Sequence, residues 1–259
     1  MHEFLDVRFI PMYYDTDMEA YLDIIDGLDA IVKDPVQVEC EYDFENENLG
    51  ASNGDIMSLS VAQLYSAGDL RITSDPTSDG GKGQVLRFNK LPYTSKGDKF
   101  AVNALQSANT YCYVLEWDML IDEVIPAEGK TSSTILQVKL GECYCLVVEW
   151  DNGKLRLSDM DNNTTLSTGI TTTMDQWHTF RLEYYHPNDL EAYVKIYVDD
   201  VYAGASNNFV GRAEGNKPSS KFNTAEFFGL RAANFIAYFD NISIDKRVQD
   251  VTSGDEPPV

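Results

Sequence analysis

Positive charge is scarce in this sequence: 20 Lys and Arg stand against 42 Asp and Glu, a formal net charge of −22. A field of that sign repels nucleic-acid phosphates and anionic lipid heads, so neither nucleic acid nor membrane is an expected partner. No apolar run approaches the roughly 18 residues that make a candidate membrane span. Histidine is limited to His2, His178 and His186, and there is no Gly-x-Ser-x-Gly elbow or glycine-rich phosphate loop. The usual signatures of serine hydrolases and nucleotide-binding proteins are therefore missing. The four cysteines, Cys40, Cys112, Cys143 and Cys145, include no Cys-x-x-Cys and no paired His spacing, so zinc is not expected. Cys143 and Cys145 fall on one face of one strand, where a mutual bridge would be badly strained. A cross-strand bridge from Cys112 and buried free thiols both stay open. Met1-His-Glu-Phe-Leu-Asp-Val-Arg8 has no basic stretch leading into an apolar one. The expectation is a chain that acts without Sec export or belongs to a longer protein.

The acidity is uneven. Residues 1–49 hold 14 Asp and Glu against Arg8 and Lys33, which fits a solvated face or a docking surface for a basic partner or cations. In the same region Thr16-Asp-Met-Glu19 has the form of a capping box. Met18, Tyr21, Leu22, Ile25, Leu28 and Val32 follow on one helical stripe, ended by Asp34-Pro35. A short strand near Val7–Ile10 and a helix over 16–33 are expected, forming an N-terminal strand–helix extension of residues 1–35. At the other end, 247–259 reads as a disordered acidic tail.

Between these ends the hydropathy period is two. Val36–Phe44, Tyr111–Ile121, Trp177–Tyr185, Ala192–Asp199, Phe227–Ala233 and Ile236–Ile244 alternate β-branched or aromatic residues with polar ones, as half-buried antiparallel strands do. Shorter strands are expected at 69–73, 84–88, 133–140, 144–150 and 155–157. Asp151-Asn-Gly-Lys154 and, more weakly, Asp199-Asp200 read as hairpin turns. A polar loop is expected at 74–83 and another at 203–223. The fold class is all-β, one sandwich over 36–246.

Asp43-Phe-Glu45, Tyr113-Val-Leu-Glu-Trp-Asp-Met119, Gln176-Trp-His-Thr-Phe-Arg-Leu-Glu-Tyr184, Val194-Lys-Ile-Tyr-Val-Asp199 and Phe239-Asp-Asn-Ile-Ser-Ile244 together resemble the concanavalin A-like lectin/glucanase superfamily, and within it the laminin G-like modules. The resemblance covers about 36–246 and implies a jelly roll of two curved sheets whose concave face or edge loops often bind glycans. It also implies first and last strands side by side, and in relatives one structural calcium. Asp43, Glu45 and Asp240 match those calcium positions in kind, although calcium takes six to eight oxygens. The laminarinase-type glucanases carry a Glu-x-Asp-x-x-Glu or Glu-x-Asp-x-Glu run, used for two-carboxyl hydrolysis. Here the run is Glu116-Trp-Asp-Met-Leu-Ile-Asp-Glu123. Leu120 and Ile121 stand where the third carboxylate belongs.

Sugars stack on aromatic rings while charged and amide groups read their hydroxyls. If Leu182, Val194, Ile196 and Val198 face the core, then Arg181, Glu183, Tyr185, Tyr193, Lys195 and Tyr197 share the opposite surface, with Arg231 close by. The expectation is accordingly a non-catalytic carbohydrate-recognition or adhesion module that binds a glycan through Arg181, Tyr185, Tyr193, Tyr197 and Arg231. A virion or surface-assembly protein docking through residues 1–35 is the alternative, and a glycoside hydrolase or lyase using Glu116 the third. A surface-exposed setting, on a cell or virion, is favoured. His178 is expected to be structural.

Overall fold

Strands that alternate apolar and polar residues must bury one face, and here two such sheets bury theirs against each other. The computed structural model describes residues 36–63, 69–90, 98–103, 110–126, 128, 132–140, 143–151, 154–158, 173–188, 191–206, 224–229 and 233–248. The larger sheet has eight strands. Its order is β12 (Val201–Ser206), β11 (Glu191–Val198), β10 (Trp177–Asn188), β6 (Thr110–Pro126), β14 (Ala233–Val248), β4 (Gln84–Lys90) and β3 (Asp69–Ser74), with β1 (Val36–Tyr42) also paired to β14. The smaller runs β2 (Val61–Gln63), β5 (Asp98–Asn103), β13 (Thr224–Gly229), β7 (Ser132–Leu140), β8 (Cys143–Asp151), β9 (Lys154–Ser158). Every pairing is antiparallel. This is a β-sandwich of the jelly-roll type.

The core lies between the sheets. Trp117 stacks on Phe180 at 5.3 Å between ring centroids, and Phe227 meets Trp117, Phe100 and Phe239. Such aromatic pairs contribute about 0.5–1.5 kcal/mol beyond the area they bury. Val194, Ile196, Val198 and Leu182 are all fully buried. Their strand neighbours on the other parity, Arg181, Lys195 and Tyr197, are half-buried on the outer face. The face assignment expected from the alternation holds.

The first and last strands do lie side by side, through β14. One edge of β14 pairs with β6 along most of its length; the other is shared between β4, opposite Phe235–Phe239, and β1, opposite Ile242–Arg247. A bulge between Asp240 and Ser243 marks the changeover. Asn241 sits there at φ 47, a left-handed conformation that Asn tolerates better than most residues. The turn between β11 and β12 has Asp199 at φ 50 and Asp200 at φ 61, as a primed hairpin turn requires.

Four expectations need adjusting. A strand at Asp98–Asn103 was not expected, because a six-residue stretch with one Lys and a terminal Asn carries little alternation. The strand expected from Phe227 starts earlier, at Thr224, and is described as far as Gly229, where a Cβ would lie 2.7 Å from the Lys90 side chain. Residues 203–206, expected as loop, continue β12. The tail expected from 247 is strand at Arg247 and Val248, both paired within β14, while the helix expected over 16–33, residues 249–259 and Asn152-Gly153 lie outside the described residues.

Candidate functional site

Antiparallel register sorts the outer face of the large sheet into rows. Leu120 and Tyr238 form one end, packed with Val85, Trp177 and Ile236 in a small apolar cluster. The next row places Thr179, Asp118 and Asp240 opposite one another. Then come Tyr202, Tyr197, Arg181, Glu116 and Ser243, one from each of five adjacent strands. Lys195, Glu183, Val114 and Asp245 make the following row.

The Asp118 row is tied together from three directions. Thr179 Oγ1 donates to Asp118 Oδ1 at 2.6 Å, and Asn241 Nδ2 donates to Oδ2 at 2.8 Å, which the left-handed turn at Asn241 makes possible. Lys82 pairs with Asp118 Oδ2 and approaches Asp240 Oδ2 at 3.8 Å. Lys82 arrives from the polar loop between β3 and β4, which is built around Asp75. That carboxylate accepts from the Thr77 and Lys82 backbone N–H, the Thr77 hydroxyl and Trp177 Nε1. Burial pushes the Asp75 carboxyl up, but these hydrogen bonds outweigh it and hold it below the usual range. Lys82 Nζ also lies 5.3 Å from the centroid of the Trp177 ring, within cation–π reach. Asp240 is nearly inaccessible, and Oδ1 has no hydrogen-bond partner. Burial drives its pKa up to about 7; the Asn241 N–H and Lys82 oppose that shift while Asp118 and Glu45 add to it.

In the Glu116 row, Arg181 is the organiser. Its guanidinium lies 4.3 Å from the centroid of the Tyr197 ring, donates to Asp200 Oδ1 at 2.9 Å and has Glu183 Oε1 at 3.5 Å from Nε. Glu183 is buried and also accepts from the Tyr185 hydroxyl at 2.8 Å; Lys195 lies over the Tyr185 ring. Glu116 faces Arg181 directly across the strand pair. Its carboxyl is pushed up, first by burial, against the pull of Arg181 and with Asp118, Asp200 and Asp245 adding to the shift. Tyr202 sits against Tyr197 at 5.6 Å between centroids and is 55 % exposed.

The sequence-derived set is thus partly assembled. Arg181, Tyr185 and Tyr197 share the face. Tyr193 is opposite Tyr185 in register, but its side chain and the whole of Arg231 lie outside the described residues. Asp43, Glu45 and Asp240 each have their own neighbours. Asp43 Oδ1 accepts the Glu45 N–H and Glu45 Oε1 accepts the Gln84 N–H, while Asp240 lies beside the Lys82 ammonium. Among the described residues no three His, Cys, Asp or Glu side chains form a group that could hold a metal ion. His178 has Asp199 Oδ2 at 2.7 Å from Nδ1, and the Thr173 N–H donates toward Nε2, a structural arrangement. Lys82, Thr179, Asn241 and Tyr202 were missed. The signal for Lys82 was a lone cation in an otherwise polar and acidic loop; for Asn241 it was an Asp-Asn pair inside a strand.

No protein-family model matches this chain, and no curated protein sequence matches it. Solved structures do. A carbohydrate esterase from the Shiga toxin-encoding bacteriophage phi24B is 12 % identical, with 82 % of this chain and 99 % of that one covered and a TM-score of 0.53. The cellulose-induced protein Cip1 is 12 % identical over 80 % of this chain and 96 % of its own, at 0.51. An endo-β-1,4-glucuronan lyase from the fungus Trichoderma reesei is 12 % identical over 80 % and 95 %, at 0.48. These likenesses are of fold.

They correct the sequence reading of function. The expectation of a non-catalytic module that is not an enzyme, whether serving adhesion or a virion, does not stand: a carbohydrate esterase shares this sandwich fold. The physical reason for the error is specific. The missing carboxylate at positions 120 and 121 excluded an acid group only along β6, whereas the fold brings carboxyls to Glu116 from β14 and from the β11–β12 turn.

Proposed function

We propose that this chain is a carbohydrate-active enzyme that cleaves a polysaccharide laid across the outer face of its large sheet, with Glu116 as proton donor. Its sandwich is, on this reading, of the concanavalin A-like lectin/glucanase kind, and its partner is a glycan. The observation that carries the proposal is the state of Glu116. A half-buried carboxyl pushed up by burial and by three neighbouring carboxylates holds its proton to higher pH than an ordinary Glu. That is what a general acid needs to protonate the leaving oxygen of a sugar. Asp118 is committed to Lys82, Thr179 and Asn241. Asp245, half-exposed one row away on β14, is the carboxylate we assign to activating the incoming nucleophile. Arg181 fixes the row and, with Tyr197, Tyr185, Tyr193 and Arg231, forms the glycan-contacting surface.

The test is turnover of a polysaccharide panel followed by reducing-end release and by ester hydrolysis. Glu116→Gln lowers kcat about 10²–10⁴-fold with the melting temperature unchanged; a variant within about tenfold of wild type removes Glu116 from the role. A structural calcium on Asp43, Glu45 and Asp240 is tested separately, by melting in calcium and in a chelator. A shift between the two supports the ion. No shift leaves Lys82 as the cation of this corner.

A further inference from the structure

The exposed aromatic surface of this face is not at its centre. Tyr197 carries the Arg181 guanidinium on its ring, whereas Tyr202, on the outermost strand and in the same register row, is more than half exposed. From β12 to β6 is three strand spacings, about 14 Å. That is room for more than one sugar ring between Tyr202 and Glu116. We propose that Tyr202 is a distal stacking subsite for an uncharged stretch of the polymer. This deepens the reading above and rests on it.

Two observations select an uncharged sugar over a uronate. First, most described cations of this face are engaged with carboxylates, and Lys195 lies over the Tyr185 ring. Arg181 is paired with Asp200 and Glu183, Lys82 with Asp118 and Asp240, and Arg87 with Asp69. A polyuronate passing along the row would add carboxylates beside Glu116, Glu183, Asp200 and Asp245, where carboxylates already outnumber the cations Arg181 and Lys195, and the −22 charge of the chain repels it before contact. Second, the far end of the row presents the exposed ring of Tyr202. It offers the C–H face of a neutral ring a stacking partner and offers an anion nothing. The chemistry follows. Without a carboxylate beside C5 the substrate has no acidified proton to lose, so cleavage takes water in place of elimination. The sugar–oxygen bond breaks, the Glu116 proton goes to the leaving oxygen, water's hydroxyl goes to the carbon, and water's remaining proton goes to Asp245.

Affinity electrophoresis of the intact chain in gels containing β-glucan, xylan, galactomannan, alginate or polygalacturonate, at low and high salt, tests this. The expected result is retardation by a neutral polymer that salt does not abolish. Tyr202→Ala weakens it about five- to tenfold and Tyr202→Phe leaves it in place, the magnitude of one aromatic stack. In turnover the Tyr202→Ala loss falls on KM, as for an interaction made equally in ground and transition states. Salt-sensitive retardation by the polyuronates alone, with unsaturated uronate ends as product, overturns the inference while leaving the enzyme reading intact. If Tyr202→Ala weakens neutral binding but Glu116→Gln does not slow turnover, the enzyme assignment fails and the subsite stands. No retardation by any polymer sinks the subsite.

Discussion

The two sheets of this sandwich treat charge in opposite ways on their outer faces. On the small sheet Glu226 sits between Lys99 at 3.1 Å and Lys139 at 3.6 Å, one carboxylate bracketed by two cations from the neighbouring strands. Each charge there has an opposite neighbour, the arrangement that stabilises a sheet face. On the large sheet like charges are crowded together. Asp118 and Asp240 face each other across a strand pair, and Asp240 is buried with an unpartnered oxygen. Glu116 is hemmed in by Asp118, Asp200 and Asp245. A face built only to be stable would not hold carboxyls in that state, and the contrast with the small sheet locates the departure from local consistency.

The sharpest way to break this contrast through stability is at Asp118, whose carboxylate is the common acceptor for Thr179, Asn241 and Lys82. Asp118→Ala leaves a half-buried hydroxyl, an amide and an ammonium short of a partner. Such losses cost about 2–4 kcal/mol together. Urea denaturation of the variant is expected to report that loss. A change below about 0.5 kcal/mol would mean that the row is held by its strands alone, and that the crowding carries no structural consequence.

How much of this was legible beforehand depends on which neighbours a residue has. Leu182, Val194, Ile196 and Val198 announce the core face because period-two alternation is a property of a single strand, and Arg181 and Tyr197 follow as their complement. Glu116 and Asp118 were visible as a pair for the same reason. Their surroundings were not. Asp245 reaches the neighbourhood of Glu116 only through the bulge between Asp240 and Ser243, a register shift that alternation does not encode. Lys82 belongs to a loop whose path is set by hydrogen bonds to Asp75. Tyr202 meets Tyr197 because the β11–β12 pairing slips between Ile196 and Tyr197. The fold was readable from strands taken one at a time; the site is made by register between them.

Asp240 gives a smaller effect with a definite sign. Its pKa in the folded chain, about 7, lies above the ordinary aspartate value, so between about pH 4 and 7 the folded state holds a proton that the unfolded state has released. Stability therefore falls as pH rises through that window and is flat above it. Asp240→Asn removes the penalty but also removes a charge 3.8 Å from Lys82. The net expectation is a gain of about 1–2 kcal/mol at pH 8 that vanishes near pH 4. Thermal melts across this range check it. A variant less stable than wild type at pH 8 would show that the attraction of Lys82 exceeds the cost of burying the carboxylate, and Asp240 would then resemble Glu226 on the other sheet.

Glu226 itself should show the least. Its partners come from β5 and β7, and it has side-chain exposure of 12 % against 17 % and 20 % for Lys99 and Lys139. Glu226→Gln keeps the shape and removes the charge, leaving two half-buried ammonium groups that retain their reach to water. A loss of about 0.5–1 kcal/mol is expected, easing further as salt screens the remaining repulsion. Turnover is expected to stay at the wild-type level, since the substitution lies across the core from Glu116. An equal loss of activity from Glu226→Gln and Glu116→Gln would erase the distinction between the faces, because a carboxylate that only balances two lysines would then matter to the chemistry as much as one crowded by its own kind.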